Sequence, residues 1–109
     1  MSTSTVSIHV STDENKVPDL IQWSAEDSDV SQRPAKAMSL SMWDEKDGNA
    51  VQMDLWTKAM SVEEMRHFVC QNMMTLATTL ERATNDKAHA EAIRSFTEEL
   101  AKRLGVLKD

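Results

Sequence analysis

Two short segments of alternating residues constrain the fold of this chain more than any other feature. In residues 38–42 and residues 51–55, apolar side chains alternate with small or polar ones, as in a strand with two different faces. The turn-forming sequence Asp-Glu-Lys-Asp-Gly-Asn separates the two segments. In an antiparallel hairpin whose paired positions sum to 93, every pair on one face is apolar. That face comprises Met38, Leu40, Met42, Val51, Met53 and Leu55. A slip of one residue would oppose apolar to polar side chains, so the pattern itself determines the register.

The opposite face of this hairpin is mostly small and polar but carries two of the three tryptophans. Trp56 lies opposite Ala37, six residues along the strand from Trp43, so the two rings are roughly 20 Å apart. Each ring either covers one end of the sheet or anchors a partner, and the sequence leaves both readings open. Five of the eight methionines fall on predicted core stripes, whereas Met60 does not. The candidate partner-binding residues are therefore Trp43, Trp56 and Met60.

The remaining pattern divides the chain into a β part and an α part. Val6, Ile8 and Val10 alternate with polar residues and predict a first strand, and residues 20–23 predict a short second strand. Residues 24–34 are polar, end at a proline, and predict the longest loop.

Helical spacing begins after Met60. Ser61 and Glu64 form a predicted capping box that starts a helix of roughly 20 residues or more. Residues 84–86 interrupt this helix and offer a new N-cap, and Gly105 is placed to end the second helix. The predicted apolar stripe of the first helix is Val62, Met65, Val69, Met73 or Met74, Leu76, Leu80 and Ala83.

These elements predict an α+β fold in the order β-β-β-β-α-α. We expect a four-stranded antiparallel sheet with two helices packed on one face, in a single domain spanning residues 1–109. The strands lie within residues 5–57 and the helices within residues 61–104.

Composition excludes several classes of protein. The 109 residues allow one modest core. With 12 basic and 18 acidic residues the net charge is −6, which argues against nonspecific binding of nucleic acid. No apolar run approaches the roughly 20 residues that span a bilayer. The N-terminus has neither the basic start nor the apolar stretch of a secretory signal, and one cysteine cannot form an intrachain disulfide. We therefore expect a cytoplasmic protein without direct membrane insertion.

No group of residues predicts catalysis, a metal site or a cofactor site. His67 and Cys70 are neighbours on one helix, but a catalytic pair needs a third, orienting group, and a cysteine beside an apolar stripe is usually a small buried residue. Glu64 and His67 have the spacing of a di-iron motif that needs a second copy, which is missing. His9 and His89 lack metal-binding spacing. We predict that the chain is not an enzyme and holds no cofactor.

A set of longer strings resembles the gliding-motility protein GldC family. The matching segments are Met53–Met60 with Val62–Met65, Val17–Pro18 with Ile21–Trp23, Lys36–Asp44, Leu80–Asp86 and Gly105–Asp109. The Asp-Leu-Trp-Thr-Lys and Glu-Arg-Ala-Thr-Asn-Asp strings are fairly specific together. The resemblance implies a non-catalytic accessory or adaptor protein that binds other components of a bacterial gliding-motility or associated secretion apparatus, some of them membrane-anchored.

The order of elements is also similar to that of the export chaperone SecB, at the level of architecture alone. This similarity implies an alternative function, a holdase that binds extended or unfolded polypeptides. In both cases a sheet that is covered on one face leaves its other face partly apolar, so we expect a homodimer or a higher homo-oligomer.

Overall fold

The structure is a computed structural model that describes residues 2–107. Its elements are β1 Val6–Thr12, β2 Pro18–Ala25, a 3₁₀ turn Glu26–Ser28, β3 Val30–Ala35, β4 Ala37–Asp44, β5 Asn49–Trp56, α1 Val62–Thr84 and α2 Lys87–Leu104. The α+β class is confirmed. The chain divides between Met60 and Ser61 into a strand-rich unit and a helical unit. This boundary coincides with the change of pattern in the sequence. A single domain stays a prediction.

The strands form two antiparallel sheets, of order β1-β2-β3 and β4-β5. The prediction of one four-stranded sheet is therefore wrong. The extra strand is β3, which lies almost entirely within the predicted loop of residues 24–34, and a bend at Lys36 separates it from β4. The packing of the helices on a sheet face stays a prediction.

The sequence of β3 does not have the pattern that predicts a strand. Its residues, Val-Ser-Gln-Arg-Pro-Ala, show no apolar alternation and include Pro34, which cannot donate a ladder hydrogen bond. Proline is tolerated because β3 pairs only with β2 and lies at the edge of its sheet. Asp29, at φ 54°, ends the preceding 3₁₀ turn and redirects the chain into β3. Ser24 supports the irregular stretch of this ladder, where its Oγ accepts from the N–H of Gln32 at 2.9 Å.

The hairpin of β4 and β5 has the predicted register. Every pair from Ala37 with Trp56 to Asp44 with Asn49 sums to 93. In the turn the carboxylate of Asp44 accepts from the N–H of Asp47 at 2.7 Å, and Gly48 takes a positive φ of 65°.

The apolar face of this hairpin is not buried along its whole length. Leu40 is half-buried, whereas Met42 and Met53 are 58% and 54% exposed. Placing Met42 and Met53 in the core is therefore wrong, because alternation assigns a side chain to one face of a strand but does not decide whether that face is covered.

The helical unit is an antiparallel pair whose ends follow the sequence signals. Ser61 and Glu64 form the capping box, in which the Ser61 Oγ accepts from the Glu64 N–H and a Glu64 carboxylate oxygen accepts from the Ser61 N–H, both at 3.0 Å. Asp86 caps α2, and Gly105, at φ 77°, follows its last residue. The predicted helix boundaries are confirmed.

The predicted apolar stripe of α1 is only partly buried, since Met65, Met73 and Leu80 are half-buried but other members are exposed. Val62 and Leu76 are 71% and 63% exposed. Two helices that pack closely select residues with little volume at the contact. The buried residues of this pair are Cys70, Ala77, Ala90, Thr97 and Ala101.

The capping box gives a direct test of the helical unit. We expect Ser61→Ala to lower the free energy of unfolding by about 1 kcal/mol, since the first turn of α1 loses the hydroxyl that accepts from Glu64. Urea unfolding followed by circular dichroism measures the change. Ser95→Ala, at an exposed position within α2, is the matched control and should change stability by less than about 0.5 kcal/mol. Equal effects from the two variants would contradict the capping role of Ser61.

Candidate protein-binding surface

The two tryptophans of the hairpin lie on one face of the β4-β5 sheet and are open to solvent. Trp43 is 74% exposed and Trp56 is 56% exposed. Trp43 pairs with Ala50 and Trp56 pairs with Ala37, so each indole ring lies opposite a small side chain. The predicted placement on a common face is confirmed by the register, and the separation of roughly 20 Å follows from it.

A polar cluster occupies the surface between the two rings. The hydroxyl of Ser39 donates to an Asp54 carboxylate oxygen at 2.7 Å, and the Gln52 amide donates to both of these groups at 3.1 Å. The three side chains therefore hold one another in place. The face thus consists of two aromatic groups with an ordered, hydrogen-bonding strip between them, and we call it the tryptophan face.

Trp56 also lines a shallow pocket of about 300 Å³. The other lining residues are Lys16, Val17, Pro18, Asp54 and Leu55. The pocket therefore joins the turn between β1 and β2 to the end of β5, and Trp56 is held at the meeting point of the two sheets.

An ion pair connects the same two segments. One carboxylate oxygen of Asp13 contacts the ammonium of Lys58, while the other accepts from the N–H groups of Asn15 and Val17 at 2.8 and 3.0 Å. Hydrogen bonding to Lys58, and then that from the Val17 N–H, lowers the pKa of Asp13. The same contact raises the pKa of Lys58. Asp13 therefore orders the β1-β2 turn and fixes it beside the end of β5.

The segment after β5 is held by backbone contacts. Thr57 is buried, and its N–H donates to the carbonyl oxygen of Lys36 at 2.8 Å. Met60, the third predicted partner-binding residue, is half-buried, and its N–H donates to the Thr57 carbonyl oxygen at 3.1 Å. Met60 thus closes a turn and presents less surface than either tryptophan of the hairpin.

His67 and Cys70 line a different feature, a groove of about 740 Å³ in the helical unit. Cys70 is buried and His67 is exposed, and the rest of the groove wall is largely apolar. His67 and Cys70 therefore lie in the same groove, which is also lined by the acidic side chain of Glu98. The groove also includes Gln71, Met74, Thr75, Thr97, Ala101, Val106 and Leu107.

Glu64 and His89, which were considered as ligands, have structural partners. Glu64 belongs to the capping box. His89 is exposed and contacts the Asp86 carboxylate at 2.7 Å, and the backbone N–H of His89, followed by its ring, lowers the pKa of Asp86. Arg94 joins the helices by pairing with Glu81 of α1 at 3.0 Å. Within residues 2–107 there is no group of three histidine, cysteine or acidic side chains arranged to hold a metal ion.

Sequence reasoning missed the junction of Asp13 and Lys58. An aspartate that begins an Asp-Glu-Asn-Lys turn is a recognisable signal for the local hydrogen bonds to Asn15 and Val17. Nothing in the sequence links that turn to a lysine 45 positions later, because only the tertiary structure brings the two residues together.

Neither helix in the described part of the chain has an apolar stretch of the length that a bilayer crossing requires.

Residues 18–106 match the family model described as gliding motility-associated protein GldC-like. The chain belongs to the GldC-like family. No curated protein and no solved structure matches the GldC-like chain significantly. The likeness to SecB is therefore without support from these comparisons.

The strings that carry the family resemblance lie at structural joints. In Asp-Leu-Trp-Thr-Lys, Asp54 holds the polar cluster, Thr57 bonds to the β3-β4 bend and Lys58 pairs with Asp13. In Glu-Arg-Ala-Thr-Asn-Asp, Glu81 pairs with Arg94, and Asp86 caps α2. These residue types are therefore explained by folding, with the exposed Trp56 as the exception.

The Asp13 ion pair predicts a pH dependence of stability. Because the folded state lowers the pKa of Asp13, its carboxylate stabilises the protein above the unfolded pKa of about 4, and this contribution is lost as the pH falls further. We expect Asp13→Asn to be less stable than the wild type near pH 7, with a difference that shrinks in acid. Urea unfolding at several pH values measures it. The matched control, Glu14→Gln, should stay within about 0.5 kcal/mol of the wild type. A difference for Asp13→Asn that did not change with pH would contradict the ion pair.

Proposed function

We propose that the chain is a non-catalytic adaptor that binds another protein component of a bacterial gliding-motility or associated secretion apparatus through its tryptophan face. The observation that supports this proposal is the exposure of Trp43 and Trp56 on one ordered face in a member of the GldC-like family.

Exposed tryptophans are effective anchors for a protein partner. Each indole buries a large apolar area at a low cost in conformational entropy, and its N–H can donate a hydrogen bond. The polar cluster of Ser39, Gln52 and Asp54 supplies donors and acceptors in a preordered arrangement between the anchors. A partner that covers both rings therefore also meets groups that can specify its orientation.

Charge favours a basic partner. Residues 1–60 contain 10 acidic and 5 basic side chains, a net charge of −5. The segment Asp44–Asp47 beside Trp43 contains three acidic side chains and one lysine. Positive residues on the partner would be attracted to this end of the face and would accelerate association. The resemblance to the GldC family suggests that some partners are membrane-anchored components, which the adaptor would bind without entering the membrane.

Paired variants on the two faces of the hairpin test the adaptor function. We expect Trp43→Ala and Trp56→Ala to fold normally and to reduce recovery of a defined gliding component at least tenfold, since each removes a large anchor. The measurement is affinity isolation of the tagged chain from its native organism, followed by quantitative mass spectrometry.

The opposite face provides matched controls. Met42→Ala and Met53→Ala remove similarly exposed apolar side chains from the same two strands. We expect these variants to recover the partner as the wild type does. Unchanged recovery from both tryptophan variants would exclude the tryptophan face as the docking site.

The exposed apolar face of the hairpin favours a second candidate function, a SecB-like holdase. Met42, Val51 and Met53 are each more than half exposed on one face, as a surface for extended apolar polypeptide would be. The holdase function predicts that near-stoichiometric protein suppresses aggregation of an unrelated unfolded chain, and that Met42→Ala and Met53→Ala weaken this effect while the tryptophan variants do not. Absence of suppression by the wild type would eliminate this function.

A further inference from the structure

The outer edge of β1 is a surface that the adaptor function leaves unexplained. β1 pairs with β2 on one side, and in the part of the chain that the structure describes no strand lies on its other side. An edge strand presents backbone N–H and C=O groups that can pair only with another extended segment. The chemistry of this edge therefore selects a strand as its occupant.

This edge lacks the charged residues and the proline by which many monomeric proteins prevent pairing. Val6–Thr12 contains no lysine, no acidic residue and no proline. Its ladder with β2 is regular until the shift between Ser11 and Thr12, at the very end of the strand. Six consecutive positions thus form a regular, uncharged edge.

Exposure of the apolar face increases toward this edge. Val10 is 38% exposed, whereas Ile21, its partner on β2, is 1% exposed. Val6 is 65% exposed, whereas its partner Ala25 is 8% exposed. The apolar face therefore reaches the edge of the sheet and ends there uncovered, as it would where a sheet continues into another chain.

We propose that β1 pairs antiparallel with β1 of a second copy of this chain, so that the two three-stranded sheets become one continuous sheet across a two-fold axis. The pattern of β1 is self-complementary. When paired positions sum to 16 or 18, Val6, Ile8 and Val10 of both copies lie on the same face, and the polar residues share the other.

A second copy fits this edge because the apolar residues of β1 are arranged symmetrically about Ile8. Each chain has a net charge of −6, but β1 brings no acidic side chain into the pairing. This pairing gives the predicted homo-oligomer a defined interface. It does not depend on the adaptor function, because the tryptophan face belongs to β4 and β5.

The first experiment changes the charge of the edge. His9 is exposed on the polar face of β1, and His9→Lys places two positive charges near each other across the axis. We expect the wild type to have twice the mass of the 12.3 kDa chain by light scattering, and His9→Lys to raise the dissociation constant about tenfold or more. Ser28→Lys, which adds the same charge on the exposed 3₁₀ turn, is the matched control and should remain dimeric.

The second experiment identifies the register and does not depend on weakening the dimer. In a symmetric antiparallel pair only the residue at the axis lies opposite itself, which is residue 8 for a sum of 16 and residue 9 for a sum of 18. We expect either Ile8→Cys or His9→Cys to form an intermolecular disulfide with copper–phenanthroline as oxidant. The wild type is the control, since its one cysteine, Cys70, is 6% exposed.

Three results would overturn the proposal. A wild-type chain that is monomeric at micromolar concentration would exclude the dimer. A dimer that His9→Lys leaves intact and that neither cysteine variant crosslinks would place the interface elsewhere. A monomer whose β1 instead pairs with a strand of another protein would exclude a second copy as the occupant. If His9→Lys still recovers the protein partner, the adaptor function does not depend on this dimer.

Discussion

The pairing of β4 with β5 is the interaction on which the proposed function depends. Since side chains alternate across a strand, this single register decides that the two tryptophans share a face with the polar cluster and that the methionines take the other. The inner end of the hairpin is then anchored by the bond from Thr57 to Lys36 and by the ion pair of Lys58 with Asp13. The register and these contacts order the tryptophan face in the free protein. Such preorganisation would lower the entropic cost of binding a partner.

The family match bears on the biological role of the chain, whereas the structure of the two characteristic strings bears on its folding. The family match covers residues 18–106 and connects the chain with gliding motility. Several residues in those strings form caps, ion pairs and backbone contacts, so they explain local folding without describing a mechanism. Trp56 differs because it remains over half exposed although the fold holds its backbone. It is therefore the residue of these strings on which the proposed adaptor function rests.

Local signals predicted the parts of the structure that depend on local physics. The hairpin register, the capping box at Ser61, the new cap at Asp86 and the glycine end at Gly105 each follow from a few adjacent residues, and each is confirmed. The strand β3 was missed because an edge strand needs neither apolar alternation nor a full set of N–H donors. The stripe containing Leu76 was predicted to be buried, but Leu76 is 63% exposed and the neighbouring Ala77 is fully buried, because closely packed helices favour small side chains.

The sequence by itself determined the α+β class with its strands before its helices, the boundary near residue 60 and the faces of the hairpin, because periodicity and capping act over a few residues. Only the tertiary structure decided that the strands form two sheets, that Asp13 pairs with Lys58, and that β1 ends its sheet with an open edge. Those features depend on which distant segments of the chain become neighbours. The side chains of one segment do not specify which distant segment it will meet.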